Sequence, residues 1–180
     1  MKPVIRIKDK TFERSISSAK ILMEVKRMAA SINTALADDS PLFLVVLNGA
    51  FMFAADLMKE ITIPCEVSFV KLASYHGTKT SGNVKELIGL NETISGRTVV
   101  VVEDIVDTGI TMHRIINSLN TMQPKAIHIA TFFHKPDALQ KDIQIDFVGM
   151  RIPDAFIVGY GLDYDGYGRN LKDIYTLINE

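Results

Sequence analysis

Val99-Val-Val-Val-Glu103-Asp104-Ile-Val-Asp107-Thr108-Gly109-Ile110-Thr111 decides the fold. Uninterrupted valines put apolar side chains on both sides of an extended chain, as in a strand buried on both faces. The strand expected over Thr98–Val102 ends in two carboxylates. A loop over Asp104–Gly109 then leads into a helix over Thr111–Met122, stopped before Pro124. A strand buried on both faces needs a layer of helices on each side, which is the α/β arrangement with a mostly parallel sheet.

The pattern repeats outward. Leu42-Phe-Leu-Val-Val-Leu47 is a second fully apolar run, following Pro41 and stopping at Asn48-Gly49. Before it, Ile16, Ala19, Leu22, Met23, Val25, Met28, Ala29, Ile32 and Leu36 recur at helical spacing, which predicts a helix over Ser15–Ala37 with Met23 and Met28 in its core face. After it, Ala50–Lys59 reads as a helix. Pro64–Ala73 reads as a strand in which Cys65, Val67 and Phe69 alternate with Glu66 and Ser68. Further strands are expected over Ala126–Phe133, Asp146–Met150 and Phe156–Val158. Between Ser74 and Glu86 a polar, hydroxyl-rich stretch with two glycines reads as a long mobile loop, and loops of that length in compact domains are often lids.

Parallel sheets bind ligands at the carboxyl ends of their strands. Glu103 and Asp104 stand at such an end, followed by Asp107-Thr108-Gly109-Ile110-Thr111 at a helix N-terminus. Inward-facing backbone N–H groups and threonine hydroxyls there make an anion site. The carboxylates upstream would repel phosphate and suit vicinal hydroxyls or a metal instead. One small molecule meets both demands: a sugar with hydroxyls at one edge and a phosphate at the other. An N-capped helix would account for Asp107 or Thr108, but not for an acidic pair closing an apolar strand.

The 180 residues fit a single domain over 1–180, and 47% hydrophobic with 23% charged residues is ordinary globular composition. A net charge of −1 demands neither nucleic acid nor a membrane as partner. No apolar run approaches the roughly 20 residues of a membrane span, and the N-terminus shows no signal-peptide core. The lone Cys65 has no partner for an internal disulfide, which suits a reducing cytoplasm. His76, His113, His128 and His134 lack metal-ligand spacing, so zinc is not expected.

The stretch from Val99 to Thr111 resembles the signature of the type I phosphoribosyltransferases: an apolar run, two acidic residues, two residues, then Asp-Thr-Gly-X-Thr. The likeness is strongest to the hypoxanthine-guanine branch and runs over roughly Leu42 to Arg169. Leu47-Asn48-Gly49-Ala-Phe-Met-Phe-Ala-Ala-Asp56-Leu resembles the branch's pyrophosphate loop and its helix. Ser74-Tyr75 opens a polar loop like its catalytic lid. Lys135 follows a strand. Ile152-Pro-Asp-Ala-Phe156-Ile-Val-Gly-Tyr-Gly-Leu-Asp163-Tyr resembles its purine-binding tail, and Arg169 stands at the family's interval.

The resemblance implies a small hood, built from N- and C-terminal segments, over the main sheet. It implies an enzyme of purine salvage that joins a 6-oxopurine to the ribose of phosphoribosyl pyrophosphate (PRPP) with Mg2+, releasing pyrophosphate and a purine nucleoside monophosphate. Asn48, Gly49, Ser74, Tyr75, Glu103, Asp104, Asp107, Thr108, Gly109, Ile110, Thr111 and Arg169 would bind PRPP. Glu103 and Asp104 would hold the ribose hydroxyls, and residues 107–111 the 5′-phosphate. Asp107 would be the base acting at purine N7 and Lys135 the donor to O6, making both catalytic. Phe156 would stack on the purine, with the main chain at Ile157 and Asp163 facing the ring. Glu103, Asp104 and Asp163 would serve the metal. A homodimer or homotetramer is implied as well.

Asn48 stands where many relatives carry Lys or Arg, and Ala155 where some carry Lys. Relatives hold the peptide at Leu47–Asn48 in the cis form, which the sequence leaves open, as it does the choice among hypoxanthine, guanine and xanthine. Two alternatives differ in class. A PRPP-binding transcriptional regulator would need a DNA-binding domain or a basic surface. An adenine-using enzyme is disfavoured by Lys135, because the 6-amino group is itself a donor.

Overall fold

The computed structural model describes residues 2–72 and 87–179. In chain order the elements are β1 (Val4–Ile7), β2 (Lys10–Ile16), α1 (Ser18–Ala35), β3 (Leu42–Leu47), α2 (Phe51–Glu60), β4 (Glu66–Leu72) and β5 (Leu87–Ile88). They continue with β6 (Thr98–Val106), α3 (Ile110–Asn120), β7 (Ala126–His134), a short 3-10 turn at Pro136–Ala138, β8 (Phe147–Arg151), β9 (Ile157–Val158) and β10 (Ile174–Asn179). Strands β4, β3, β6, β7 and β8 lie side by side in that order and run parallel, with β5 added antiparallel beyond β4. The fold is therefore the expected α/β sheet flanked by helices.

The sheet is filled from both sides. Phe43, Val45, Val100, Val102, Ala130 and Phe132 face α1 and α2. Leu42, Leu44, Val46, Val99, Val101 and Ile129 face α3. Residues 42–45 and 99–102 are all at 0% exposure, which is why each run is apolar without interruption. From β3 the chain moves outward to β4 by way of α2. From β6 it moves the opposite way to β7 by way of α3, across the other face. The carboxyl ends of β3 and β6 thus flank a point where the strand order reverses, and such points open a crevice for ligands.

The terminal segments build a second, antiparallel sheet in the order β1-β2-β10-β9, the expected hood. Phe12, Val158 and Tyr175 form its small core. Ile157, Tyr160 and Ile174 join the main core, tying the two sheets together.

Three expectations change. The first helix begins at Ser18 because Ile16 still belongs to β2, and Ser17 caps it by accepting from the Lys20 N–H at 3.4 Å. Its buried stripe is Ile21, Val25, Met28, Ala29 and Ile32, whereas Leu22 and Met23 are 44% and 58% exposed. Helical spacing alone does not say which of two adjacent apolar faces turns inward. In β4 it is Val70 and Ser68 that are buried, while Val67 and Phe69 are 41% and 50% exposed. Their partners in β3 are Phe43 and Val45, so they point to the α1/α2 side, and those helices leave β4 uncovered. Buried Ser68 is satisfied by Glu92, its Oγ donating to Oε2 at 2.8 Å. Finally, β6 runs on to Val106 rather than ending before Glu103. No helix among the described residues is long and apolar enough to cross a membrane.

Candidate active site

The end of β6 places Glu103 and Asp104 at the crevice. Glu103 is 8% exposed, and burial, reinforced by the neighbouring Asp104 charge, pushes its carboxyl well above the usual carboxylate range. Burial raises Asp104 too, offset in part by hydrogen bonds and by the nearby Arg169 charge. Backbone N–H groups fix both: Asp104 donates to Glu103 Oε1 at 3.2 Å, and Ile105 to Asp104 Oδ1 at 2.8 Å. A pair reluctant to carry two charges is suited to hydroxyl hydrogen bonds.

The cis peptide Leu47–Asn48 closes β3, and Gly49 lies against Asp104. A Cβ on Gly49 would collide with the Asp104 carboxylate, and one on Gly161 with the Gly49 carbonyl. Both positions need glycine because backbone from β3 and from the tail is stacked onto the acidic pair. The tail continues with Arg169, which donates to the Gly161 carbonyl at 2.7 Å and pairs with Asp163 at 2.6 Å. Asp163 also accepts from the Gly166 N–H at 2.6 Å.

Downstream of the acidic pair a cavity of about 280 Å³ is lined by Glu103, Asp104, Asp107, Thr108, Gly109 and Thr111, among others. Gly109, in the left-handed region at φ 75°, is the N-cap of α3 and has no side chain with which to cap it. Thr108 Oγ1 accepts from the Ile110 N–H at 3.4 Å, and no side chain among the described residues occupies the next donors of the first turn. The loop is braced from behind, Gln140 donating to the Thr108 carbonyl at 3.0 Å.

Beside Asp107 stands Lys135, 7% exposed, its main-chain N–H bonded to the Val106 carbonyl at 3.0 Å. Its ammonium lies 3.3 Å from Asp107 Oδ2 and 3.1 Å from Asp154 Oδ1. Phe156 is 46% exposed, its ring edge-on to Tyr164 at 6.0 Å and 6.3 Å from Phe12. Ile157, beside it, is buried in β9 and pairs with Thr176. A larger cavity of about 420 Å³, lined by His113, Asn117, Asp142 and Asp146 among others, is separate from these groups.

A family model described as a phosphoribosyl transferase domain matches residues 16–165. The hypoxanthine-guanine phosphoribosyltransferase of Bacillus subtilis is 40% identical over 163 residues, 90% of this chain and 91% of that one. The hypoxanthine phosphoribosyltransferase of Salmonella typhimurium is 38% identical over 171 residues, covering 93% and 96%. The crystal structure of a hypoxanthine-guanine phosphoribosyltransferase from Bacillus anthracis superposes with a TM-score of 0.84 at 35% identity, covering 93% and 97%. The chain belongs to the phosphoribosyltransferase family, in its hypoxanthine-guanine branch.

As a phosphoribosyltransferase it is a transferase of purine salvage, and the landmarks expected of the branch fall where the fold reverses. Asn48, Gly49, Asp104, Asp163 and Arg169 cluster on one side, and Asp107, Thr108, Gly109 and Thr111 line the other, with Ile110 as the first residue of α3. Ser74 and Tyr75, with the lid reading of Ser74–Glu86, lie outside the described residues. Among the described residues no three His, Cys, Asp or Glu side chains converge as a metal site. Two residues of this phosphoribosyltransferase escaped the sequence reading. Asp154 lies inside the Ile152–Tyr164 tail, where the family resemblance gave it no role. Gly161 belonged to a Gly-Tyr-Gly string whose close approach to Gly49 no local pattern announces.

Proposed function

We propose that the chain transfers the 5-phosphoribosyl group from PRPP to N9 of a 6-oxopurine, hypoxanthine or guanine, with xanthine a third candidate acceptor. The products are the nucleoside 5′-monophosphate and pyrophosphate. The observation that carries this is the Lys135 ammonium set beside Asp107, a residue that lines the cavity running from the acidic pair to the N-terminus of α3. A lysine donor and a carboxylate base set side by side suit a ring that presents a carbonyl oxygen next to a basic nitrogen. Glu103 and Asp104 hold the ribose hydroxyls, and Thr108 to Thr111 receive the 5′-phosphate. Phe156 offers a half-exposed face for the base, with the main chain of Ile157 and Asp163 toward the ring edge. The backbone at Asn48 and Gly49, together with Arg169, faces the pyrophosphate.

Magnesium fits this donor set in part. Asp104, Glu103 and Asp163 are hard oxygen donors that would hold the ion, but among the described residues they form no cage, so a bound ion would take most of its ligands from the substrate. When bound it neutralises the pyrophosphate charge. Steady-state assays with PRPP, Mg2+ and four bases test the whole assignment. Hypoxanthine or guanine is turned over, adenine is not, and a chelator abolishes turnover until Mg2+ is restored. Activity that survives the chelator overturns the metal requirement.

The 180 residues act as one domain in the cytoplasm, in an assembly of two or four copies. The uncovered side of β4, with Val67 and Phe69, and Phe51 at 43% exposure on α2, are the apolar surfaces such an assembly would cover. Light scattering at micromolar concentration should give two or four times the 20.0 kDa chain, and a 20.0 kDa particle overturns it.

A further inference from the structure

We infer that Asp154 is a positioning residue for the reaction, anchoring the Lys135 ammonium so that its remaining N–H is aimed at the 6-oxo group of the base. This rests on the assignment of Lys135 and Asp107 to the purine. A lysine ammonium has three donors and no acceptor. Among the described residues two acceptors lie within reach, Asp107 Oδ2 at 3.3 Å and Asp154 Oδ1 at 3.1 Å. One donor is left, and with two anchors of a tetrahedral group fixed, the direction of the third is set.

The backbone holds the second anchor in place. The Ile152 N–H donates to the His134 carbonyl at 2.9 Å, which ties the start of the 152–155 turn to the residue just before Lys135. Pro153 restricts the next φ, and the Ala155 N–H closes the turn on the Pro153 carbonyl at 2.9 Å. Lys135 is fixed equally, through the Val106 carbonyl on one side and the Ala138 N–H, donating to its own carbonyl at 3.2 Å, on the other. The spacing between Asp154 and Lys135 is therefore a property of two braced turns rather than of two long side chains meeting by chance.

Asp154 has a second consequence for chemistry. Without it the ammonium has one carboxylate left and closes on Asp107, the group that must accept a proton. A base bound tightly to a cation is a weaker base. Sharing the lysine between two carboxylates keeps Asp107 available. Asp154, whose side chain is 64% exposed, has no packing role whose loss would unfold the chain.

Steady-state kinetics on Asp154→Ala, Asp154→Asn, Lys135→Met and the Asp154→Ala/Lys135→Met double variant test this. Asp154→Ala should raise the KM for hypoxanthine about tenfold, on the scale of one charge-assisted hydrogen bond, and leave the KM for PRPP unchanged. Asp154→Asn, whose amide oxygen still accepts, should recover most of the hypoxanthine KM. In the Lys135→Met background the Asp154→Ala change should have no further effect on that KM. An unchanged hypoxanthine KM in Asp154→Ala, an Asn variant no better than Ala, or a full-sized loss persisting without Lys135 overturns the role. Full hypoxanthine activity in Lys135→Met alone would instead overturn the assignment of Lys135 itself.

Discussion

Asp107→Asn should lower turnover with hypoxanthine by about 10²–10⁴-fold, the usual worth of a positioned general base. The substitution keeps the side-chain size, and an amide oxygen can still accept from Lys135, now 3.3 Å from Asp107 Oδ2. What it removes is the ability to take a proton from N7. PRPP affinity should be nearly unchanged, because the donors proposed for the 5′-phosphate are backbone groups at the start of α3 and the hydroxyls of Thr108 and Thr111. The helix itself should also stand. Its N-cap is Gly109, not Asp107, so no capping bond is lost. Single-turnover kinetics with a PRPP binding titration separate the two effects. A fully active Asn variant, or equal losses in binding and turnover, would remove Asp107 from the chemistry.

How far the sequence reaches depends on whether a residue's neighbours are local. The strands β3 and β6 are legible because burial on both faces leaves the same mark whatever lies around them. The acidic pair, the Thr108–Thr111 loop and the helix that follows are contiguous, so their joint chemistry can be read from one stretch. The inward face of β4 could not be read in this way. Val67 and Phe69 look like core by their side chains, and only the position of α1 and α2 over the other strands leaves them exposed. The β1–β2 hairpin escaped because its partner β10 lies at the far end of the chain and its short alternation is mixed with charged residues. In the site, Gly49 against the Asp104 carboxylate and Gly161 against the Gly49 backbone are contacts between residues more than 50 positions apart, and no spacing encodes them. The resemblance located Lys135, yet it gave no reason for its burial, which the paired carboxylates of Asp107 and Asp154 now supply.

Lys135 should decide which base is used. A buried ammonium at 7% exposure has given up most of its water, so each donor needs an acceptor. Hypoxanthine and guanine bring a carbonyl oxygen to the 6-position and satisfy it. Adenine brings an amino group, which sets donor against donor and leaves desolvated charge unmatched. Sites built on a required hydrogen bond reject the analogue lacking it by roughly 10⁴-fold, and that is the ratio of kcat/KM expected for hypoxanthine over adenine. Lys135→Met preserves length and removes the donor, so kcat/KM for hypoxanthine should fall about 10²-fold, the scale of a lost hydrogen bond to a charged group. The fold should tolerate the change, because the carboxylates left behind are 44% and 64% exposed and water can solvate them. PRPP binding should survive, since the anchors proposed for it lie on the 103–111 segment. The variant should not gain adenine activity, because methionine offers the 6-amino group no strong acceptor. Competition assays with both bases and a PRPP titration of the variant measure all of this. Equal use of adenine and hypoxanthine by the unmodified protein would overturn the base assignment. Loss of PRPP binding in a folded Lys135→Met would move the lysine to the phosphate side of the cavity.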